Sequence, residues 1–412
     1  MNLEISILIV GYRNVLQRER EDIMKSLIGK NWVDAKDGKV IEVKNPANNE
    51  LVDTVPSLSA EEVSEAVDYA YSAQKEWERV PIHERCAMMM KFVELVERDK
   101  DSLAKTLSDE TGKPIKEAYN EINNIAIGVP AYVGRVQHDY GNLIPRGTEK
   151  GQENTIQYTI QQPLGVVVAI IPFNFPSDIF INKIPPALLM GNACILKPAS
   201  VNPLTLTKYV ELLVEAGVPA GVISVVHGSG SVVGKALTSN KKVNLVTLTG
   251  STEAGIDALT NCASHLAHSS LELGGNDAFI ICEDGDIDLA IEETVWGRLY
   301  NTGQVCCASK RFLVQNSIKE EYINKMHVSN YKRSRYNYLG CFLLNFGIYL
   351  KRRYKRTCSQ FVAYALESSN EIILPKKPIT MMPNDFLRIK NIKKIYDGEL
   401  GGCCFESKFQ LT

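Results

Sequence analysis

Gly165-Val166-Val167-Val168-Ala169-Ile170-Ile171 decides the fold class. A strand with one wet face would alternate apolar and polar side chains. A continuous apolar run reads as a strand covered on both faces, as in a parallel sheet. The chain then alternates. A helical stretch spans Ile179 to Met190, and a short apolar run spans Ala193 to Leu196. Val201 to Ala216 has helical spacing, and Val222 to Val226 and Asn244 to Leu248 read as strands. Strands and helices in this order predict an α/β fold, a parallel sheet with helices on both faces. Upstream, Ser59-Ala60-Glu61-Glu62 is a capping-box signature. Val63, Ala66, Val67, Ala70, Ala73 and Trp77 follow it at helical spacing, and a second helix is expected near Glu84 to Arg98. Thr155 to Gln161 (TIQYTIQ) alternates strictly and reads as half of an exposed antiparallel ribbon.

The 412 residues allow two or three domains and a large core without disulfides or structural metals. Apolar residues at 45% and charged residues at 23% exclude a disordered or fibrous chain. A net charge of −2 provides no global field to recruit nucleic acid. Ten cysteines are too sparse for a disulfide scaffold, which points to a reducing, cytoplasmic compartment. The run Ile5 to Val10 follows Glu4 with no basic segment before it, so it does not read as a signal peptide. Leu339 to Leu350, interrupted by Asn345 and followed by the basic run Lys351 to Arg356, falls short of the roughly 18 apolar residues of a membrane span. No membrane partner is expected. Residues 327–412 hold 15 basic and 6 acidic residues, against 31 and 42 before them. Without a nucleic-acid-binding module, that basic surplus reads as solvated surface.

Four segments could carry chemistry. Gly228-Ser229-Gly230-Ser231-Val232-Val233-Gly234 follows a strand and opens a helix, one residue longer than the usual dinucleotide fingerprint. A tight turn explains it about as well. Gly250-Ser251-Thr252-Glu253-Ala254-Gly255 is a second strand-to-helix turn, whose backbone N–H groups favour an anion such as pyrophosphate. Asn301-Thr302-Gly303-Gln304-Val305-Cys306-Cys307 follows the helical run Ile287 to Tyr300 and places two thiols on a loop or helix end. A thiolate there is a candidate nucleophile, although a lone cysteine is more often a small buried hydrophobe. Leu271-Glu272-Leu273-Gly274-Gly275-Asn276 sets a carboxylate in an apolar turn. Partial burial would raise its pKa into the general-base range, while read alone it is a surface glutamate. Adjacent cysteines lack metal-ligand spacing and the six histidines are scattered, so no metal is expected.

Together these segments resemble the aldehyde dehydrogenase superfamily. The matching blocks are Pro172-Phe173-Asn174-Phe175-Pro176, Asn192 to Ser200, Thr249 to Gly255, Leu271 to Asn276 and Asn301 to Cys307, with Glu110-Thr111-Gly112-Lys113-Pro114 upstream. They occur in family order across about residues 24–326. The resemblance implies Cys306 as nucleophile, with Cys307 its neighbour, Glu272 as general base and Asn174 as oxyanion donor. It implies Lys197 on the adenosine ribose and Gly250, Ser251, Thr252, Glu253, Ala254 and Gly255 beside the pyrophosphate, with Gly230 in the other glycine turn. Ser200 stands where family members specific for NAD often carry a glutamate, so NADP is expected to be accepted, with NAD also a candidate. The implied reaction oxidises a small-molecule aldehyde to a carboxylic acid through a thiohemiacetal and a thioester on the cysteine. Glu272 favours hydrolysis over transfer to coenzyme A.

The implied architecture is a Rossmann-like parallel-sheet NAD(P)-binding domain over residues 24–271, an incomplete α/β catalytic domain over 272–326 and a β-ribbon oligomerisation arm near 137–161. Residues 1–23 read as an extension. Residues 327–412 read as a divergent tail in place of the family's remaining catalytic segment, including its Glu-x-Phe-Gly-Pro block. The family forms homo-oligomers, and that tail predicts weaker assembly. A catalytically impaired, nucleotide-binding chain is the rival reading.

Overall fold

A computed structural model describes residues 24–139 and 141–333, together with short strand pieces at 335–336, 355–356, 392–394 and 409–411. The run Ile5 to Val10, the apolar run Leu339 to Leu350 and most of the basic run after it lie outside the described residues. The elements that build the site are, in chain order, β1 (Ser26–Ile28), β2 (Asn31–Val33), β3 (Val40–Lys44), β4 (Leu51–Pro56), α1 (Ala60–Trp77), α2 (Ile82–Arg98), α3 (Lys100–Thr111), α4 (Ile115–Asn123), α5 (Ile125–Gln137), β5 (Leu143–Ile144) and β6 (Gln157–Tyr158). There follow β7 (Val166–Ile170), α6 (Pro176–Leu189), β8 (Ala193–Lys197), α7 (Leu204–Glu215), β9 (Ile223–Val225), α8 (Lys235–Thr238), β10 (Leu245–Thr249), α9 (Thr252–Ala263) and β11 (His268–Glu272). The last elements used below are β12 (Asp277–Ile281), α10 (Ile287–Leu299), β13 (Ser309–Val314) and α11 (Lys319–Arg333).

The Val166–Ile170 run is a central strand of a seven-stranded sheet ordered β11-β10-β7-β8-β9-β1-β2. The five strands from β11 to β9 are parallel. Side-chain parity explains why their sequences are apolar throughout. Val167, Ala169, Cys194, Leu196, Ile223 and Val225 enter one buried cluster, with Phe92, Phe180 and Tyr209. Val166, Val168, Ala193 and Ile195 enter the other, against Val63, Ala66, Val67 and Ala70 of α1. β7 and β8 thus each supply two cores, the arrangement that a doubly covered sheet requires.

The capping box forms as expected. The Ser59 hydroxyl accepts from the Glu62 N–H, and the Glu62 carboxylate accepts from the Ser59 N–H at 2.8 Å. The expected helix from Val201 instead begins at Leu204, after Pro203. Its first turn is capped from another part of the chain. The buried Glu110 carboxylate accepts from the Leu204 N–H at 2.7 Å and the Thr205 N–H at 3.0 Å. The sheet extends past its parallel part through β1 and β2, an antiparallel hairpin whose edge meets β9. The β5–β6 pair is antiparallel, and Leu143 and Tyr158 on it are 75% and 68% exposed.

The chain divides into two compact units, Met1–Asp277 with Gly297–Lys310, and Ala278–Trp296 with Arg311–Thr412. Within the second, β12 pairs with β13, and Ile281, Ile291, Ile318 and Tyr322 form a small core. The Tyr322 hydroxyl bonds Thr294 at 2.6 Å. The segment Gly297–Lys310, which carries both candidate cysteines, belongs to the first unit.

Candidate active site

The sheet reverses its order of growth at β7. From β7 the chain runs outward through β8 and β9, then returns to place β10 on the opposite side of β7. Ligands of open α/β sheets bind in the crevice outside the carboxyl ends of the strands at such a point. A cleft of about 510 Å³ opens there. It is lined by Ile170 at the end of β7, Lys197 at the end of β8, Leu248 near the end of β10, Gly230, Gly234 and Ala254. The expected Gly228–Gly234 turn is a single π-helical turn over Gly230–Gly234 that runs into α8.

Lys197 is 5% exposed, and its ammonium donates to the Pro198 carbonyl at 3.1 Å. Burial pushes its pKa down to about 8. A buried cation facing a cleft suits an anionic or hydroxyl-rich ligand. The residues present therefore fit a dinucleotide, with Lys197, Gly230 and the start of α9 as its holders.

In the Gly250–Gly255 turn two backbone N–H groups are already engaged. The Gly250 N–H donates to the Glu272 carbonyl at 3.0 Å, and the Ala254 N–H donates to the Ser251 hydroxyl at 3.2 Å. The Glu253 carboxylate is held below its usual range by its own backbone N–H and the Ser251 hydroxyl. Gly255 is a packing glycine, because a Cβ there would stand 2.7 Å from Leu273. Ser200 does not cap a helix. Its hydroxyl donates to the Gly228 carbonyl at 3.0 Å, and it does not line the cleft.

A second constellation gathers around Asn174, which precedes α6. The Asn174 side-chain amide donates to the Gln304 carbonyl at 2.8 Å, and the Asn301 amide donates to the Asn174 carbonyl at 2.9 Å. The Phe175 and Tyr300 rings stack with centroids 5.6 Å apart. The turn after α10 is strained. Asn301 and Thr302 both take left-handed backbone angles, at φ 47° and 57°. Such positions cost of order 1–3 kcal/mol each. Gln304 holds the turn by donating to the Asn301 carbonyl at 3.2 Å and the Thr302 hydroxyl at 2.6 Å. The cysteines that follow are both exposed, so neither is the small buried hydrophobe of the bland alternative. Burial and the Cys306 thiol beside it push the Cys307 pKa up.

The Leu271–Asn276 segment meets the same turn. A Cβ on Gly275 would stand 2.6 Å from the Cys306 carbonyl oxygen, so only glycine permits the approach. Lys310 donates to the Gly275 carbonyl. Glu272 is exposed, the surface glutamate that the segment read alone suggests, so the partial burial that would raise its pKa is not present. It ends β11, the edge strand, whose side chains alternate between exposed and half-buried. The charge of Glu272 acts on Lys183, buried on α6, which donates to the Thr247 hydroxyl at 2.6 Å. Burial lowers the Lys183 pKa to about 8, against the opposing pull of Glu272. Lys183 carried no sequence signal. Its position was hidden in the helical run Ile179 to Met190.

The aldehyde dehydrogenase family profile matches residues 32–335. This chain belongs to the aldehyde dehydrogenase family. It is 37% identical over 302 residues to a succinate-semialdehyde dehydrogenase [NADP(+)] of Escherichia coli, which covers 73% of this chain and 62% of that one. Over the same shares it is 37% identical to a glutarate-semialdehyde dehydrogenase of Pseudomonas putida. The chain thus spans about three fifths of the length of these relatives. Among solved structures, an Escherichia coli NADP-dependent enzyme superposes with TM-score 0.73 at 36% identity, over 76% of this chain and 64% of that one. A 3,6-anhydro-L-galactose dehydrogenase in complex with NAP gives 0.73 at 27% identity, over 86% and 71%. Among the described residues no group of His, Cys, Asp and Glu could hold a metal, and no helix is long and apolar enough to cross a membrane.

Proposed function

We propose that this chain is an NAD(P)-dependent aldehyde dehydrogenase that converts an aldehyde to a carboxylic acid through a covalent intermediate on Cys306. The observation that carries the reading is the Asn174–Gln304 hydrogen bond at 2.8 Å. A carboxamide nitrogen carries two hydrogens. One engages Gln304, and the other remains for an oxyanion formed at Cys306, two residues further on. The thiolate of Cys306 attacks the aldehyde carbon, and the Asn174 amide with the Cys306 backbone N–H stabilises the thiohemiacetal oxyanion. When bound, the nicotinamide supplies the hydride acceptor. Lys197, Gly230 and the Ser251–Gly255 helix start orient the dinucleotide. Glu272 then takes a proton from water that attacks the thioester, releasing the acid.

The domain division at 271/272 is retained as the functional one, with the cofactor bound before it and the general base opening the catalytic part. The relatives that act on succinate and glutarate semialdehydes support a small aldehyde as substrate class. The Escherichia coli relative named for NADP(+) and the buried ammonium of Lys197 on the cleft wall support NADP. The exposed apolar side chains on β5–β6 support assembly through that ribbon, and the free cysteines among the described residues support a reducing, cytoplasmic setting. The exposure of Glu272 favours one second reading, a chain that binds the dinucleotide without completing turnover. Rapid mixing with NADP and a panel of aldehydes separates the two. A burst of reduced cofactor followed by steady turnover supports the enzyme. Cofactor binding with neither phase supports the second reading.

A further inference from the structure

Lys113 and Glu121 form an ion pair in the interior of the first unit, with side chains that are each 1% exposed. Lys113 precedes α4 and Glu121 lies within it. Burying two charges is costly, and such pairs are weak sources of stability, since apolar replacements of similar shape are often neutral. Their hydrogen bonds show what this pair holds. The Lys113 ammonium donates to the Asn174 carbonyl at 3.0 Å and lies 4.2 Å from the centre of the Phe175 ring. One Glu121 oxygen takes the ammonium, and the other accepts the Ser177 N–H at 2.7 Å and the Asp178 N–H at 3.4 Å. One ion pair therefore grips both ends of the Asn174–Ser177 turn, its first carbonyl and its last amide.

We propose that Lys113 and Glu121 are positioning residues that hold the Asn174 amide in register with Cys306. The proposal rests on the reading of Asn174 as oxyanion donor given above. The Asn174 carbonyl already accepts from Asn301, and the Asn174 amide already donates to Gln304. With the carbonyl fixed by Lys113 as well, the Asn174 backbone cannot rotate without taking a hydrogen bond from a buried ammonium. The side-chain amide then has one arrangement toward the Cys306 turn. Displacement of a catalytic group by about an ångström can cost on the order of a hundredfold in rate.

The test is a double-mutant cycle on the burst of reduced cofactor in the full chain. Lys113→Met should slow the burst about 10- to 100-fold, with the aldehyde KM changed much less. Lys113→Arg should recover much of the loss. In an Asn174→Ala background, Lys113→Met should cost little more. Equal losses in the two backgrounds would show that Lys113 does not act through Asn174 and would overturn the proposal. Lys113→Met leaves Glu121 unpaired, so Lys113→Met/Glu121→Gln, which keeps an acceptor for Ser177, serves if the single variant does not fold. If the wild-type chain gives no burst, the functional reading falls by itself. Hydrogen exchange then reads the pair directly. Glu121→Ala should accelerate exchange at Ser177 and Asp178 about tenfold or more over α1 amides, and unchanged exchange overturns the positioning role.

Discussion

The side-chain amide of Asn174 and the backbone carbonyl of Gln304 lie 130 residues apart in sequence and 2.8 Å apart in space. This bond couples the start of α6, built on the cofactor sheet, to the strained turn that presents Cys306. Asn174→Asp keeps the shape but exchanges the two amide hydrogens for a carboxylate that would face the Gln304 carbonyl and repel an oxyanion. Acylation by aldehyde should fall about 100- to 1,000-fold, the loss typical of one oxyanion donor. Near-normal burst kinetics in Asn174→Asp would remove Asn174 from the chemistry.

Cys306 and Cys307 are both exposed, and the sequence register alone separates them. The structure adds a reason to prefer Cys306, since burial and the neighbouring thiol raise the pKa of Cys307 and reduce its thiolate at neutral pH. Cys306→Ser should abolish turnover, and Cys307→Ala should keep most of it. Mass spectrometry after brief exposure to a limiting alkylating agent should find Cys306 labelled first. Turnover surviving in Cys306→Ser rules the assignment out.

Glu272 should act after acylation. Glu272→Gln should therefore preserve a single burst of reduced cofactor and slow the steady phase that follows by about 100-fold or more, within the usual range for a general base. Loss of the burst along with turnover would place Glu272 earlier, in forming the Cys306 thiolate.

Much of the fold was legible because its signals are local. The Val166–Ile170 run meets two cores through side-chain parity alone, and the Ser59–Glu62 box closes within one helical turn. The misjudged start of α7 has a different origin. Its cap comes from Glu110, 94 residues upstream of Leu204, and no local pattern encodes that contact. The site divides in the same way. Cys306 and Asn174 could be picked out from motif blocks, but the burial of a residue depends on its neighbours in space. Whether Glu272 was a surface glutamate or a half-buried base could not be read from its apolar neighbours, because the answer lies in β11 being the last strand of the sheet. Lys113 sat in a quoted motif without a role, because its partners Glu121 and Asn174 meet it only through folding.

His227 provides a pH test of the core beside the cleft. It is 2% exposed, between the Ser26 hydroxyl at Nδ1 and the Thr207 hydroxyl at Nε2, both at 2.8 Å. Thr207 donates its own proton to the Pro203 carbonyl, so Nε2 carries the hydrogen and the ring is neutral. Burial, aided by the positive charge of Lys197, lowers its pKa from 6.5 to about 3. The unfolded chain therefore binds the extra proton first, and this contribution to stability, complete above about pH 6.5, is lost as pH falls toward 3. Near pH 5 the loss is about 2 kcal/mol. Glu110 and Glu121, both raised to about 7 by burial, act in the opposite direction over the same window. The quantity to measure is thus the difference between wild type and His227→Gln in urea unfolding near pH 7.5 and near pH 5. Wild type should lose about 2 kcal/mol more than the variant, and parallel losses would mean His227 titrates normally in the fold.

Cofactor choice can be tested at Lys197 and Ser200. Lys197 faces the cleft with a pKa lowered to about 8 by burial, so a nucleotide that needs the charged ammonium should bind more weakly as pH rises past 8. NADP, with its additional phosphate, should show the steeper decline. Ser200 is less direct, because its hydroxyl proton is engaged by the Gly228 carbonyl at 3.0 Å. To donate to a 2′-phosphate it must release Gly228, the residue before the Ser229–Gly234 turn. A glutamate at this position adds a charge that repels the phosphate and accepts ribose hydroxyls instead. Ser200→Glu should therefore weaken NADP binding by about 1–3 kcal/mol and leave NAD much less affected. Titrating both nucleotides against both proteins distinguishes the causes. Selective loss of NADP means that position 200 senses the 2′ group, whereas equal loss of NAD and NADP means that the substitution only disturbed the Gly228 turn and that cofactor choice is made elsewhere.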